Sequence, residues 1–150
     1  MKYFFTIALL VIITLSQANA QQPFVKSYIE RTHISPKLGL QGGYEFKNNF
    51  ELGGFYQKEN DAFWSSNEAK PRFYEKEFYG VIMAAPVLSK EKFNVKANVR
   101  MGAVNGEYFS ITPSMIAGYK LFNAIEVQAG FGLKSFRITS QAGIRFNLNN

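Results

Sequence analysis

The sequence predicts an all-β chain: a single eight-stranded antiparallel transmembrane β-barrel, preceded by a cleaved signal peptide. Three observations predict it. Apolar and polar residues alternate with period two through segments of about 10–13 residues, double the five or six of an average soluble strand. The connections between them alternate between tight turns and loops on the opposite side. Aromatic residues sort to the two ends of the strands.

The first segment is not part of that pattern. MKYFFTIALLVIITLSQANA (1–20) has Lys2 as a positive start, an apolar run from Phe4 to Leu15, and Ala18-Asn19-Ala20 as an A-x-A cleavage site. These are the parts of a secretory signal peptide. The run falls short of the roughly 20 apolar residues of a membrane-spanning helix and is followed by Gln21-Gln22-Pro23. The mature chain is expected to start near Gln21. Residues 21–150 then make one domain, since about 130 residues suffice for one closed sheet and are few for two cores.

Composition excludes several classes. There is no cysteine, so an exported chain has no disulfide staple, no thiolate site and no acceptor for a lipid anchor. The chain holds 17 Lys and Arg against 11 Asp and Glu; Lys2 leaves with the signal, and the 16 basic residues that remain are scattered. Export and the lack of a basic helix or aromatic-basic platform argue against nucleic acid. A modest positive balance suits anionic lipid head groups.

Taken in order, the strands begin with FVKSYIERTHI (24–34), whose alternation is poor. KLGLQGGYEF (37–46) sets Leu38, Leu40, Gly42, Tyr44 and Phe46 against Lys37, Gly39, Gln41, Gly43 and Glu45. FELGGFYQK (50–58) sets Phe50, Leu52, Gly54 and Tyr56 against Glu51, Gly53, Phe55 and Gln57. After one long loop (59–74) comes EFYGVIMAAPV (77–87), apolar on both faces in its middle. FNVKANVRMGAV (93–104) interleaves Asn94, Lys96, Asn98 and Arg100 with Phe93, Val95, Ala97, Val99 and Met101. FSITPSMIAGYKL (109–121), IEVQAGFGLK (125–134) and ITSQAGIRFNL (138–148) alternate likewise, with Ile116 as an exception. Tight turns fall at KNN (47–49), SKEK (89–92) and FNA (122–124).

An even number of antiparallel strands of this length, with short turns at one end and longer loops at the other, is the pattern of a transmembrane barrel, which crosses with tilted strands of about 9–11 residues. The apolar row then faces lipid and the polar row a narrow lumen. Phe46, Phe50, Phe93, Phe122 and Phe146 form one aromatic level at the tight turns. Tyr56, Phe73, Tyr74, Phe78, Tyr108, Phe109, Phe131 and Phe136 form the second, as interfacial girdles do.

In the lumen, Glu45, Glu51, Lys96, Lys120, Glu126 and Arg145 are expected to converge near the turn ends, three acids with three bases. Arg100 joins them as an internal strut paired with a carboxylate such as Glu45, Glu51 or Glu126. An eight-stranded barrel is only wide enough inside for side chains, so these charges must pair. Glycines 39, 43, 53, 102, 118, 130, 132 and 143 share this inner face. A plugged lumen is expected rather than a pore.

The signal peptide, the hairpin SPKLGLQGGYEFKNNFELGGFYQ (35–57) and the closing hairpin VQAGFGLKSFRITSQAGIRFNL (127–148) resemble the small, porin-like outer-membrane β-barrel proteins of Gram-negative bacteria. The resemblance covers the whole mature chain. It implies an outer-membrane location, outer-membrane lipid as the surroundings, and the barrel-insertion machinery as a partner during assembly. That machinery commonly reads a terminal aromatic, whereas this chain runs past Phe146 through Asn147, Leu148, Asn149 and Asn150.

Candidate sites are few. His33 and Ser35, two apart in RTHISP, would share a strand face as base and nucleophile. The lipid A 3-O-deacylases, barrel enzymes of eight strands, carry a similar His-x-Ser with a downstream acid. Here the pair lies in the first loop before Pro36 and no acid can be assigned, so the expectation is no catalysis. With one histidine and no cysteine a transition-metal site lacks ligands, and Glu59, Asp61 and Glu68 lack the spacing of a calcium loop. No cofactor is expected. In the long loop, Phe63 and Trp64 are a candidate contact, either with an extracellular or periplasmic protein partner or with the outer leaflet.

The expected role is structural or surface-interacting. Two readings compete with it. A soluble periplasmic or secreted barrel of lipocalin type would invert the faces and hold an apolar ligand among Leu38, Leu40, Val95, Val99, Val127 and Ile144. A membrane-embedded lipid A-modifying hydrolase would rest on His33 and Ser35. If the apolar row faces lipid, Val99→Arg should block assembly, at about 2–4 kcal/mol near mid-membrane, and Arg100→Gln should cost less.

Overall fold

The computed structural model describes residues 20–32, 35–59, 75–134 and 136–148. They form β1 (Ala20–Arg31), β2 (Pro36–Phe46), β3 (Glu51–Glu59), β4 (Glu77–Ser89), β5 (Phe93–Val104), β6 (Tyr108–Phe122), β7 (Ile125–Lys134) and β8 (Arg137–Asn147). Each strand pairs antiparallel with the next, and β1 pairs with β8, so the sheet closes into a barrel. Residues 1–19 of the expected signal peptide lie outside the described residues.

Strand length runs from nine residues in β3 to 15 in β6. β2–β3, β4–β5 and β6–β7 are joined by tight turns at one end of the barrel; the other four connections, including the long one, lie at the opposite end. Local chemistry sets the turns. Asn49 takes φ 61°, a left-handed conformation that asparagine tolerates, while Phe46 N donates to Phe50 O at 2.8 Å. Between β5 and β6, Asn105 and Gly106 both have positive φ and Glu107 N donates to Val104 O at 3.0 Å. That is the Asn-Gly turn that matches strand twist.

β1 occupies Ala20–Arg31 rather than 24–34. Its inner row is Phe24, Lys26, Tyr28 and Glu30, all buried, and its outer row contains the exposed Val25 and Ile29. The rings fit inside because glycines stand opposite them. Tyr28 is the register partner of Gly39 on β2 and Gly143 on β8, and a Cβ at Gly39 would lie 2.1 Å from the Tyr28 ring.

The walls of the barrel divide by polarity. Leu38, Leu40, Val127 and Ile144 are exposed on the outer face, with Val95 and Val99 half-buried on that same face. These are the residues that a lipocalin-type barrel would need as its core, and they point away from the interior. Inside, apart from Phe24, Tyr28, Ala84 and Ile116, the buried apolar residues form a small cluster of Phe55, Phe78 and Ile82, with Val104 against it. Phe78, expected in the outer girdle, belongs to this cluster: it is fully buried, its ring edge-on to Phe55 at 4.7 Å.

Candidate functional site

Most of the lumen is charge and amide, and the charges gather in two places. At the turn end, Glu45 on β2 and Glu51 on β3 are direct cross-strand partners across the first tight turn. Two carboxylates in that position repel unless cations join them. Lys96 from β5 donates to Glu45 at 2.9 Å and to Glu51 at 2.5 Å. Arg145 from β8 also bonds both carboxylates, and its Nε donates to Asn147 Oδ1 at 2.8 Å. The guanidinium lies 4.5 Å above the Phe24 ring. Four strands are thereby tied across the interior.

The other members expected here are placed differently. Glu126 is buried, accepts from Gln128 Nε2 at 2.6 Å, and lies so close to Gly118 that a Cβ there would meet its carboxylate at 2.0 Å. Lys120, its register partner, is exposed. It follows the inner parity of β6, but the inner row is last buried at Gly118, so residue 120 emerges on the rim. Arg100 does not pair with Glu45, Glu51 or Glu126. Its side chain is 1% exposed and donates to Glu30 at 2.5 Å, to Tyr28 Oη at 3.0 Å and to Gln57 Oε1 at 3.4 Å.

Arg100 therefore belongs to a second assembly at the loop end, which sequence reasoning missed. Lys134 on β7 bonds Glu75 at 2.5 Å and lies 3.8 Å from Glu30, with its ammonium 4.6 Å from the Phe78 ring centroid. Lys37 on β2 pairs with Glu75 at 2.8 Å. Glu75 comes from the end of the long connection, where Glu59 N donates to Lys76 O and Asn105 Oδ1 accepts from both Lys76 N and Glu77 N. One signal was available in sequence: Lys37 and Lys134 stand on polar rows at the loop end and require acids there.

Between these assemblies the wall is polar. Gln41, Asn98, Thr112, Ser114, Gln128 and Gln141 are buried, and atoms such as Gln141 Oε1 and Thr112 Oγ1 have no hydrogen-bond partner among the described residues. A lumen lined this way disfavours an apolar ligand, which would leave such groups unsatisfied. Lys26 is also buried here, 5.5 Å above the Tyr28 ring. The arrangement ties opposite walls together.

The remaining candidates carry little geometry. His33, Asp61, Phe63, Trp64 and Glu68, and Phe73 and Tyr74 of the expected second girdle, lie outside the described residues. Ser35 N donates to Thr32 Oγ1 at 3.1 Å, and Thr32 Oγ1 donates to Ser35 O at 2.8 Å, a local turn that closes the β1–β2 connection. Among the described residues no group of three His, Asp or Glu side chains is placed to hold a metal ion.

No protein-family model matches the chain. No curated protein matches it. Among solved structures, a product of the de novo design of transmembrane β-barrels superposes with a TM-score of 0.69 at 11% identity, covering 86% of this chain and 97% of its own. The de novo designed TMB2.3, solved by solution NMR, gives 0.68 at 10% identity, with 89% and 99% covered. The crystal structure of Neisserial surface protein A aligns with a TM-score of 0.43 at 13% identity, covering 85% and 95%. The likeness to the designed barrels establishes the fold: this chain is built as they are, as a small closed barrel of antiparallel strands.

Proposed function

We propose that the protein is an outer-membrane β-barrel, exported through a cleaved signal peptide, whose lumen is filled by side chains and whose role is structural or surface-interacting rather than catalytic. One observation carries this reading: the polarity of the barrel is reversed relative to a water-soluble protein. Glu30, Arg100, Glu126 and Arg145 are at most 2% exposed inside, while Leu40, Ile111, Leu121 and Leu133 are more than half exposed outside. In water this arrangement is costly twice, through apolar surface left wet and charges taken out of water. In a bilayer the outer face is at home, and closure satisfies every strand edge, as a lipid-embedded backbone requires.

The girdles support the same reading. Phe93, Phe122 and Phe146 are exposed at the turn end, and Tyr56, Tyr79, Tyr108, Phe109, Phe131 and Phe136 at the loop end, where amphipathic rings favour head-group levels. Outer-membrane lipid is then the surrounding medium and the barrel-insertion machinery the partner in assembly.

Fractionation of cells expressing the protein tests the location. The processed chain should resist salt extraction, enter detergent, and migrate differently on a gel before and after boiling. Recovery in the periplasmic wash would end the proposal. The absence of catalysis is checked by the lipid A profile of an expressing strain, which should be the same with the wild-type chain and with His33→Ala.

A further inference from the structure

The outer face of β5, β6 and β7 has relief. Met115 stands beside Phe131 across the β6–β7 ladder; two residues nearer the tight turns Ala117 stands beside Ala129, with Val95 of β5 on its other side. Next come Tyr119 and Val127, also partners. Small residues between two rows of large ones leave a groove of about 380 Å³, lined by Val95, Met115, Ala117, Ala129 and Phe131.

The groove lies close to positive charge. Along β5 and β6 toward the turns, the ladder passes the Phe93–Tyr119 pair and reaches Lys92 and Lys120, where Lys120 N donates to Lys92 O at 2.8 Å. Both lysines are exposed, as is Lys90 in the same turn. The acids nearby are Glu91, exposed beside them, and Glu126, which is turned into the lumen and accepts from Gln128. The rim is therefore net positive. Three residues along a strand span about 10 Å, or about 7 Å along the membrane normal at a tilt near 45°. That is the separation of a phospholipid phosphate from the upper methylenes of its acyl chain. Lysine stems are long enough to carry their ammonium groups over the rim to such a phosphate.

We propose that this face seats one anionic phospholipid, with an acyl chain in the groove between β5 and β7 and its phosphate against Lys92 and Lys120. The proposal rests on the membrane reading above. Charge complementarity favours this occupant over a second copy of the chain, which in the same membrane orientation would bring its own lysines to the same level as these.

The test uses the full chain folded into micelles containing equal phosphatidylglycerol and phosphatidylcholine, read by native mass spectrometry. One phosphatidylglycerol should be retained with a preference of about thirtyfold, the size expected of two lysines at an anionic surface. Lys92→Gln with Lys120→Gln should abolish that preference, and Lys92→Arg with Lys120→Arg should keep it. Ala129→Leu, which fills the groove with a side chain that lipid tolerates, should reduce retention. Equal retention of both lipids, or undiminished preference in the Gln double variant, would overturn the site. So would a dimer that Ala129→Leu abolishes, because the groove would then belong to a second copy. Folding into pure phosphatidylcholine vesicles separates the two levels of inference: a chain that folds there without lipid preference loses only the lipid site, whereas one that folds in neither lipid loses the membrane reading as well.

Discussion

The two charged assemblies in the lumen are wired differently. At the turn end, Glu45, Lys96, Glu51 and Arg145 form a closed ring in which each member has two partners of opposite sign. At the loop end the contacts form an open chain: Arg100 to Glu30, Glu30 to Lys134, Lys134 to Glu75, Glu75 to Lys37. A ring tolerates the loss of one member because the rest remain bonded through the other side. A chain does not, and this one depends on a residue, Glu75, that lies outside the strands.

Substitutions can break or sharpen that contrast. The largest effect is expected for Arg100→Gln, which leaves Lys134, 3.8 Å away, as the remaining ion-pair partner of the buried Glu30 carboxylate among the described residues, and removes the donor to Tyr28. Breaking a fully buried pair costs about 3–5 kcal/mol, to be read as a lower denaturant midpoint for unfolding from vesicles. That cost overlaps the about 2–4 kcal/mol expected of Val99→Arg, so the two substitutions should differ less than the alternation of β5 alone suggests. Glu75→Gln comes next. Its carboxyl is partly screened at 16% exposure and serves both Lys37 and Lys134; a loss of about 2 kcal/mol is expected, with faster proteolysis in the long loop as a companion readout.

Lys96→Gln should cost less, about 1 kcal/mol, because Arg145 still bridges both acids. Should Lys96→Gln prove as damaging as Arg100→Gln, the ring has no redundancy and the distinction between the ends disappears. At the bottom of the series, Lys58→Gln removes a pair with Glu77 that is 4.0 Å long and exposed on both sides. No change in midpoint should be measurable.

Where rows are pure, the sequence is easily read. β5 and β7 occupy Phe93–Val104 and Ile125–Lys134, the ranges that alternation suggests, because every inner position there except Val104 at the end of β5 is polar or glycine. β1 is obscured by its own packing. Phe24 and Tyr28 share an inner row with Lys26 and Glu30, so hydropathy reads the rings as lipid-facing although cross-strand glycines make room for them inside. The same holds for Phe78 and Ile82 on β4, whose strand is apolar on both faces because Tyr79, Val81 and Val87 stand exposed on the outside while Phe78 and Ile82 meet Phe55 inside.

The turn-end ring is legible for a geometric reason: tight turns fix the offset of Glu45, Glu51, Lys96 and Arg145 from one end of the barrel. Periodicity alone misplaces Lys120, since it gives the direction of a side chain and not the height at which the lumen stops. Glu75 is hidden for the opposite reason, because no period constrains how a long connection returns to the barrel. Glu30 could be read only by someone who already knew which face of β1 was inward.

Closure of the barrel by β1 and β8, with Leu148 N donating to Pro23 O at 2.9 Å beside the Phe24–Asn147 pair, also imposes an order in time. All the other ladders join strands adjacent in sequence and can form as soon as a hairpin exists. The seam joins the first strand to the last, so it carries the greatest loop-closure cost and must form after the others. Until then the sheet has two bare edges, the kind of surface on which strands of other molecules add. A newly made copy of this chain is thus most vulnerable when it is seven-eighths paired, and shielding those two edges until the seam forms is a demand that its topology makes on the cell.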